Sequence, residues 1–220
     1  ALYYFLERLC REWETDYRLE YLRHNINFVV VPPKSPRDFT NRTYVNVNGV
    51  NINRNFDWNW ENADEATRGT APFSEIESVI QRDFMEANQD ALFNIDLHIR
   101  GGAPVTDDKL MWSIQGGNDE TEIAVATIEK MTRRWKQKYP NLPNIPFYGF
   151  ISVSDPPTAM GYGTLWGYSK FVLGIPTVAW EGFYASSTMS VVENKDVVDM
   201  NVDYLSEYIL NVIKYYQNIY

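Results

Sequence analysis

The chain has 220 residues, enough for one domain with a substantial core. Its hydrophobic content of 45% and aromatic content of 15% are those of a globular protein, and no run is long and apolar enough to span a bilayer. With 20 basic against 29 acidic residues the net charge is −9 and no basic stripe is present, which argues against nucleic acid as a partner, and a single cysteine, Cys10, excludes an internal disulfide framework.

Ala1 opens directly into an amphipathic run, with neither an initiator Met nor a signal peptide, so a chain missing its N-terminal portion is expected. Leu2, Phe5, Leu6, Leu9, Cys10 and Trp13 recur at three- and four-residue steps and predict one helix over about residues 1–22, with Cys10 a buried small hydrophobe. Ile26 to Val31 is a short apolar, β-branched run that reads as a central strand, ended by Pro32 and Pro33. Ser35 to Trp60 reads as one long loop. Its second half, NVNGVNINRNFDWNW, is too rich in Asn for a helix and is pinned by Phe56, Trp58 and Trp60.

Phe73-Ser74-Glu75 opens a helix to about Ala91, with Ser74 as N-cap and Glu77 completing a capping box. Phe93 to His98 is a buried strand ended by Gly101-Gly102, and Lys109 to Gln115 a further strand stopped by Gly116-Gly117. Asp119 to Tyr139 has helical periodicity, and three prolines lead from it to a strand over Phe147 to Val153. Thr164 to Leu173 is a helix closed by Gly174; Pro176 to Trp180 is a central strand running into Glu181; Asp199 onward is an amphipathic helix. Strands alternating with helices predict a single α/β domain over residues 1–220, with a mainly parallel or mixed twisted sheet covered by helices on both faces.

Three places in this pattern could carry chemistry. Asn53 and Arg54 put an amide beside a guanidinium fork, suited to gripping a carboxylate from two directions. From spacing alone Arg54 is more simply a helix cap or the partner of an internal Asp. His98 ends a strand, where open α/β sheets place their sites, and is either a metal ligand, an acid–base group or a satisfied core histidine. Asp96, two residues earlier, shares its face and is either a support for His98 or a strand carboxylate paired with a basic neighbour. Glu181 ends an apolar strand, which would raise its pKa toward the range of a general base; the plain alternative is a capping or surface Glu.

The run N-G-V-N-I-N-R-N-F resembles the G-V-D-L-N-R-N-F signature of the zinc metallocarboxypeptidases of the pancreatic carboxypeptidase A and B type, with Asn51 where that family usually has Asp. D-L-H at His98 and the strand P-T-V-A-W-E are similar to the same family. The resemblance covers essentially the whole chain and reverses the odds at Arg54. It implies a zinc carboxypeptidase-like fold and a zinc-dependent hydrolase that removes the C-terminal residue of peptides. Asn53 and Arg54 would hold the terminal carboxylate, and His98 would be the third zinc ligand. Glu181 would be the general base that activates the zinc-bound water and later protonates the leaving amine, and Arg42 would polarise the scissile carbonyl. Tyr162 is the candidate for the tyrosine that caps the substrate, with Tyr148 and Tyr168 also nearby.

The chain departs from the family where Ser35-Pro36-Arg37-Asp38-Phe39 stands in place of N-P-x-G-Y, just before Arg42. It departs more seriously at the metal, where the family supplies two zinc ligands as H-x-x-E. The second histidine here, His24, has no Glu at the third following position, so this chain alone is expected to hold zinc weakly or not at all. The alternative is therefore an inactive relative on the same fold that binds peptide or cell-wall carboxylates without metal. A serine hydrolase built on Asp96 and His98 ranks last, since no G-x-S-x-G run is present. Expected partners are peptides or peptidoglycan peptides with a free C-terminal carboxylate, the protein being monomeric and secreted. Asn41-Arg42-Thr43 is a glycosylation sequon.

Overall fold

The computed structural model describes residues 2–31, 35, 40–41, 43–98, 111–116, 118–138, 140, 148–153, 162–184 and 191–217, of which 111–116, 118, 133, 148–153, 181–184 and 191–194 are described by backbone alone. Its centre is a helix rather than the sheet. Val191–Tyr216 is buried almost all round between residues 200 and 213, which is the signature of a helix enclosed by other elements. Around it pack helices α1 (Leu2–Arg11), α2 (Tyr17–Asn25) and Asn118–Lys138, and the strand Thr177–Tyr184. In chain order the remaining elements are α3 (Ile76–Glu86), β1 (Asn94–His98), β2 (Met111–Gly116), α4 (Asn118–Lys138), β3 (Tyr148–Val153), α5 (Leu165–Gly167, continued as a π-helical turn over Tyr168–Val172), β4 (Thr177–Tyr184) and α6 (Val191–Tyr216).

The four strands form a mixed sheet in the order β1-β4-β2-β3, with β4 parallel to β1 and antiparallel to β2, and β2 parallel to β3. Alternation along β1 and β4 sorts their residues between two layers. Ile95, Leu97, Val178 and Trp180 join the main core with Leu19, Leu22, Met131, Trp135 and the buried face of α6. Trp180 stacks on Tyr204 at 4.2 Å between centroids, and Tyr204 on Tyr208 at 5.5 Å. On the other side Asn94 and Thr177 both bond the hydroxyl of Ser169. There a second apolar cluster, Ile52, Phe56, Met85, Leu165 and Tyr168, underlies the Asn-rich loop.

The polar residues that α6 carries into the core are matched by ions from its neighbours. Arg18, 7% exposed, donates to both carboxylate oxygens of Asp16 and to Asp203 at 3.1 Å, while Lys138 reaches Asp203 and Lys130 reaches Glu207. The Asp16, Asp203 and Glu207 carboxylates need this, because an unpaired buried charge is costly.

Four expectations are corrected here. The first helix is two: a 3₁₀ turn at Trp13–Thr15 separates α1 from α2, and Asp16 N-caps α2 by accepting from the Arg18 N–H. Cys10 is exposed, because it lies seven residues from Tyr3 on the outer face of α1, whereas Phe5 and Leu9 face the core. Residues 26–31 form no strand among the described residues: Ile26 and Phe28 pack on the core while Val29 and Val30 are exposed. Ser74 does not cap α3. Glu75 occupies the cap position, the Ser74 hydroxyl bonds the Glu75 carboxylate at 2.9 Å, and α3 ends at Glu86. Two further elements are longer than expected, β4 continuing past Glu181 to Tyr184 and the last helix beginning at Val191.

Candidate active site

The Asn-rich loop is shaped by its own side chains. Asn51 Oδ1 accepts the Asn53 N–H at 3.0 Å, and Arg54 N–H bonds the Asn51 carbonyl at 2.8 Å, which turns Ile52–Arg54 into one 3₁₀ turn with Ile52 buried beneath. A carboxamide at Asn51 thus supplies the acceptor that a carboxylate would supply in the same place. Further back, Asn46 and Asn48 both donate to Glu75 Oε2, at 2.7 and 2.8 Å, and fasten the loop to the start of α3.

Asn53 links this loop to two other parts of the chain. Its Oδ1 accepts the Leu165 N–H at 3.0 Å, and its Nδ2 lies 3.5 Å from His98 Nε2. His98 Nε2 is 2.7 Å from Asp96 Oδ2, and the Asp96 side chain is 2% exposed against 23% for His98. The ring is held through Nε2, against the buried Asp96 carboxylate at the shorter distance and the Asn53 amide at the longer one. Asp96 is therefore the support for His98.

Arg54 is half-buried, with Nη1 donating to the Asn53 carbonyl at 2.6 Å. Its charge also reaches the exposed carboxyl of Asp64, which the Thr67 hydroxyl, the Ala66 N–H and Arg54 together hold below the usual carboxylate range. Tyr162, also half-buried, enters through its neighbour Gly163. Gly163 N–H donates to the Trp58 carbonyl at 2.8 Å and its carbonyl accepts from Phe56 N–H at 2.9 Å. Its φ is +66°, and a Cβ there would stand 2.4 Å from the Arg54 carbonyl oxygen, so only glycine allows this approach. Tyr168 is committed elsewhere: it is buried, and its hydroxyl donates to Glu86 at 2.8 Å.

Glu181 stands opposite His98 in the parallel register of β1 and β4. The structure thus brings Asn53, Arg54, Tyr162, His98 and position 181 to one end of β1. Arg42 and the loop from Pro36 to Phe39 lie outside the described residues. The side chain of Tyr148 likewise lies outside them. His24 belongs elsewhere, edge-on to Trp13 at 5.1 Å on α2. Two residues that the sequence reading passed over also shape the site: Gly163, and Asn55, the second Asn of N-R-N-F, whose 0% exposure is its signal.

The described donors do not amount to a catalytic zinc centre, which needs three protein ligands and an open position. Among the described residues no group of three or more His, Cys, Asp or Glu could hold a metal ion, and His98 is the one imidazole at the site. Nor, among the described residues, is any helix long and apolar enough to cross a membrane.

Residues 1–105 match the family model of the zinc carboxypeptidases. The fold is similar to that of a metallo-carboxypeptidase from Burkholderia cenocepacia, with a TM-score of 0.60 at 16% identity, over 96% of this chain and 52% of that one. Bovine thrombin-activatable fibrinolysis inhibitor, solved in complex with tick carboxypeptidase inhibitor, aligns at TM-score 0.49 and 13% identity over 77% of this chain and 57% of its own. The chain therefore spans about half the length of the solved structures it matches. Among curated proteins no relative matches. The resemblance to the zinc carboxypeptidases thus holds in the matched first 105 residues, and the α/β carboxypeptidase fold holds over nearly the whole chain.

Proposed function

We propose that this chain, as one domain over residues 1–220, carries the substrate-carboxylate side of a zinc carboxypeptidase-type site and serves hydrolysis of the C-terminal residue of peptides. The observation that supports this most is the junction at Asn53, whose amide bonds Leu165 on one side and meets His98 on the other while Arg54 follows in the chain. Asn53 and Arg54 bind the terminal carboxylate, the guanidinium supplying charge and a planar fork and the amide a further N–H. Tyr162 closes over the C-terminal residue. Glu181 takes the proton of the attacking water and passes it to the leaving amine, and Arg42 stabilises the developing oxyanion. Asp96 holds the imidazole of His98 in one orientation. Zinc, where the family's reaction uses it, would draw on His98, and the described donors do not complete that centre. An extracellular location, monomeric state and peptide or peptidoglycan-peptide substrates belong to the same proposal.

The test uses N-acetyl-glycyl-phenylalanine and its C-terminal amide. The chain binds the free acid in preference to the amide, and Arg54→Ala abolishes the preference. Where phenylalanine is released from the acid, Glu181→Gln stops it; full turnover in Glu181→Gln refutes the base assignment.

A second reading, a carboxylate-binding module without metal, is favoured by the presence of one imidazole at the site. Zinc analysis after equilibrium dialysis separates the two: an intact protein without stoichiometric zinc that still binds the free acid supports the second.

A further inference from the structure

We propose that Asn55 is the positioning residue of the Asn53–Arg54 carboxylate clamp, fixing the direction in which Arg54 leaves the loop. This rests on the reading of Asn53 and Arg54 as carboxylate ligands.

Asn55 is completely buried. Its Nδ2 donates to the carbonyls of Arg68 at 2.8 Å and Ala71 at 3.0 Å and to the Ser74 hydroxyl at 3.0 Å. Its Oδ1 accepts from Ser78 Oγ at 2.6 Å and from Glu75 N–H at 3.1 Å. The backbone is used as well: the N–H bonds the Ile52 carbonyl at 3.1 Å, and the carbonyl accepts from Phe73 N–H at 2.7 Å. One amide thus ties the clamp's 3₁₀ turn to the 68–74 loop and to the first turn of α3.

Two neighbours are shaped around it. A Cβ on Gly69 would fall 2.7 Å from Asn55 Nδ2, so glycine is required there for the amide to approach. Phe73 has φ +56°, a sparsely populated conformation for a bulky residue. It is held by the bond to Asn55 and by ring packing on Phe56 and Tyr168, at 5.7 and 5.1 Å. Strain kept next to a binding turn, with every polar atom of the connecting residue engaged, is the arrangement of a preorganised site. Asp could not replace Asn55, because it lacks the N–H donors and would place charge against two carbonyls.

The test measures the affinity ratio of N-acetyl-glycyl-phenylalanine to its amide by calorimetry on the full chain, at a temperature where circular dichroism shows each variant folded. Asn55→Ala is expected to weaken the free acid on the order of tenfold to a hundredfold while leaving the amide unchanged, since a small displacement of a positioned group has effects of that size. Ser78→Ala, which removes one bond to Asn55 Oδ1 and keeps both donors, is expected to weaken it less. An Asn55→Ala protein with a lower melting temperature and an unchanged ratio makes Asn55 merely structural and overturns the proposal. Where Asn55→Ala does not fold, Ser78→Ala decides by the same criterion. A wild-type chain that binds acid and amide equally overturns the clamp itself, a result distinct from an unchanged ratio in the variants.

Discussion

His98 and Glu181 occupy matching positions in the parallel ladder of β1 and β4. His98 is the last described residue of β1, and β4 is described on to Tyr184. The Asn53 amide lies 3.5 Å from His98 Nε2. Residues separated by long stretches of sequence therefore meet at His98.

Asp96→Ala should release the His98 ring. In the wild type, nitrogen NMR of the neutral form should show the proton on Nε2, because the Asp96 carboxylate accepts it at 2.7 Å. Without that acceptor the two tautomers should mix. An unchanged spectrum would mean that Asp96 does not orient the ring.

Stability at acid pH should depend on Glu75. Burial alone would raise its pKa, but hydrogen bonds from Asn46, Asn48 and Ser74 outweigh that and leave it lowered. A folded pKa below the unfolded value of 4.5 means the stabilising contribution is full above that value and is lost as pH falls through the folded one. Urea titrations at descending pH should show Glu75→Gln with a flatter acid limb than the wild type. Parallel limbs would contradict the assignment.

Arg18→Ala should cost on the order of 3 kcal/mol, because it removes the one buried cation among Asp16, Asp203 and Glu207 and leaves the latter two only the more exposed Lys138 and Lys130. Lys130→Ala, whose side chain is 63% exposed, should cost about 0–1 kcal/mol despite its 2.8 Å contact with Glu207. Chemical denaturation of the two variants checks the contrast; equal losses would show that burial does not decide the outcome.

What the sequence revealed depended on whether a residue's partners were local. β1, β4 and α4 have apolar runs or periodicity that stand out within each segment, and all three are present. The motif N-I-N-R-N-F marked the loop that meets His98. Propensity failed where a distant or competing partner decided. Asp16 interrupts an apolar stripe because its carboxylate binds Arg18, which itself reaches Asp203 in the last helix. Val29 and Val30 favour a ladder, but the described sheet gives them no neighbour. Ser74 has the spacing of a capping box, yet Asn55 takes its hydroxyl as an acceptor. Asn55 looked like one more loop asparagine; its place at the centre of the loop follows from contacts with residues 68–78, which periodicity does not encode.

The most direct test of a carboxylate site between the Asn-rich turn and the end of β1 is an NMR titration of the labelled chain with N-acetyl-glycyl-phenylalanine. The Asn53 side-chain amide and the His98 ring should shift together and saturate at one ligand concentration, while the C-terminal amide of the same dipeptide leaves both in place. Shifts that avoid both residues, or that are the same for acid and amide, would contradict the account.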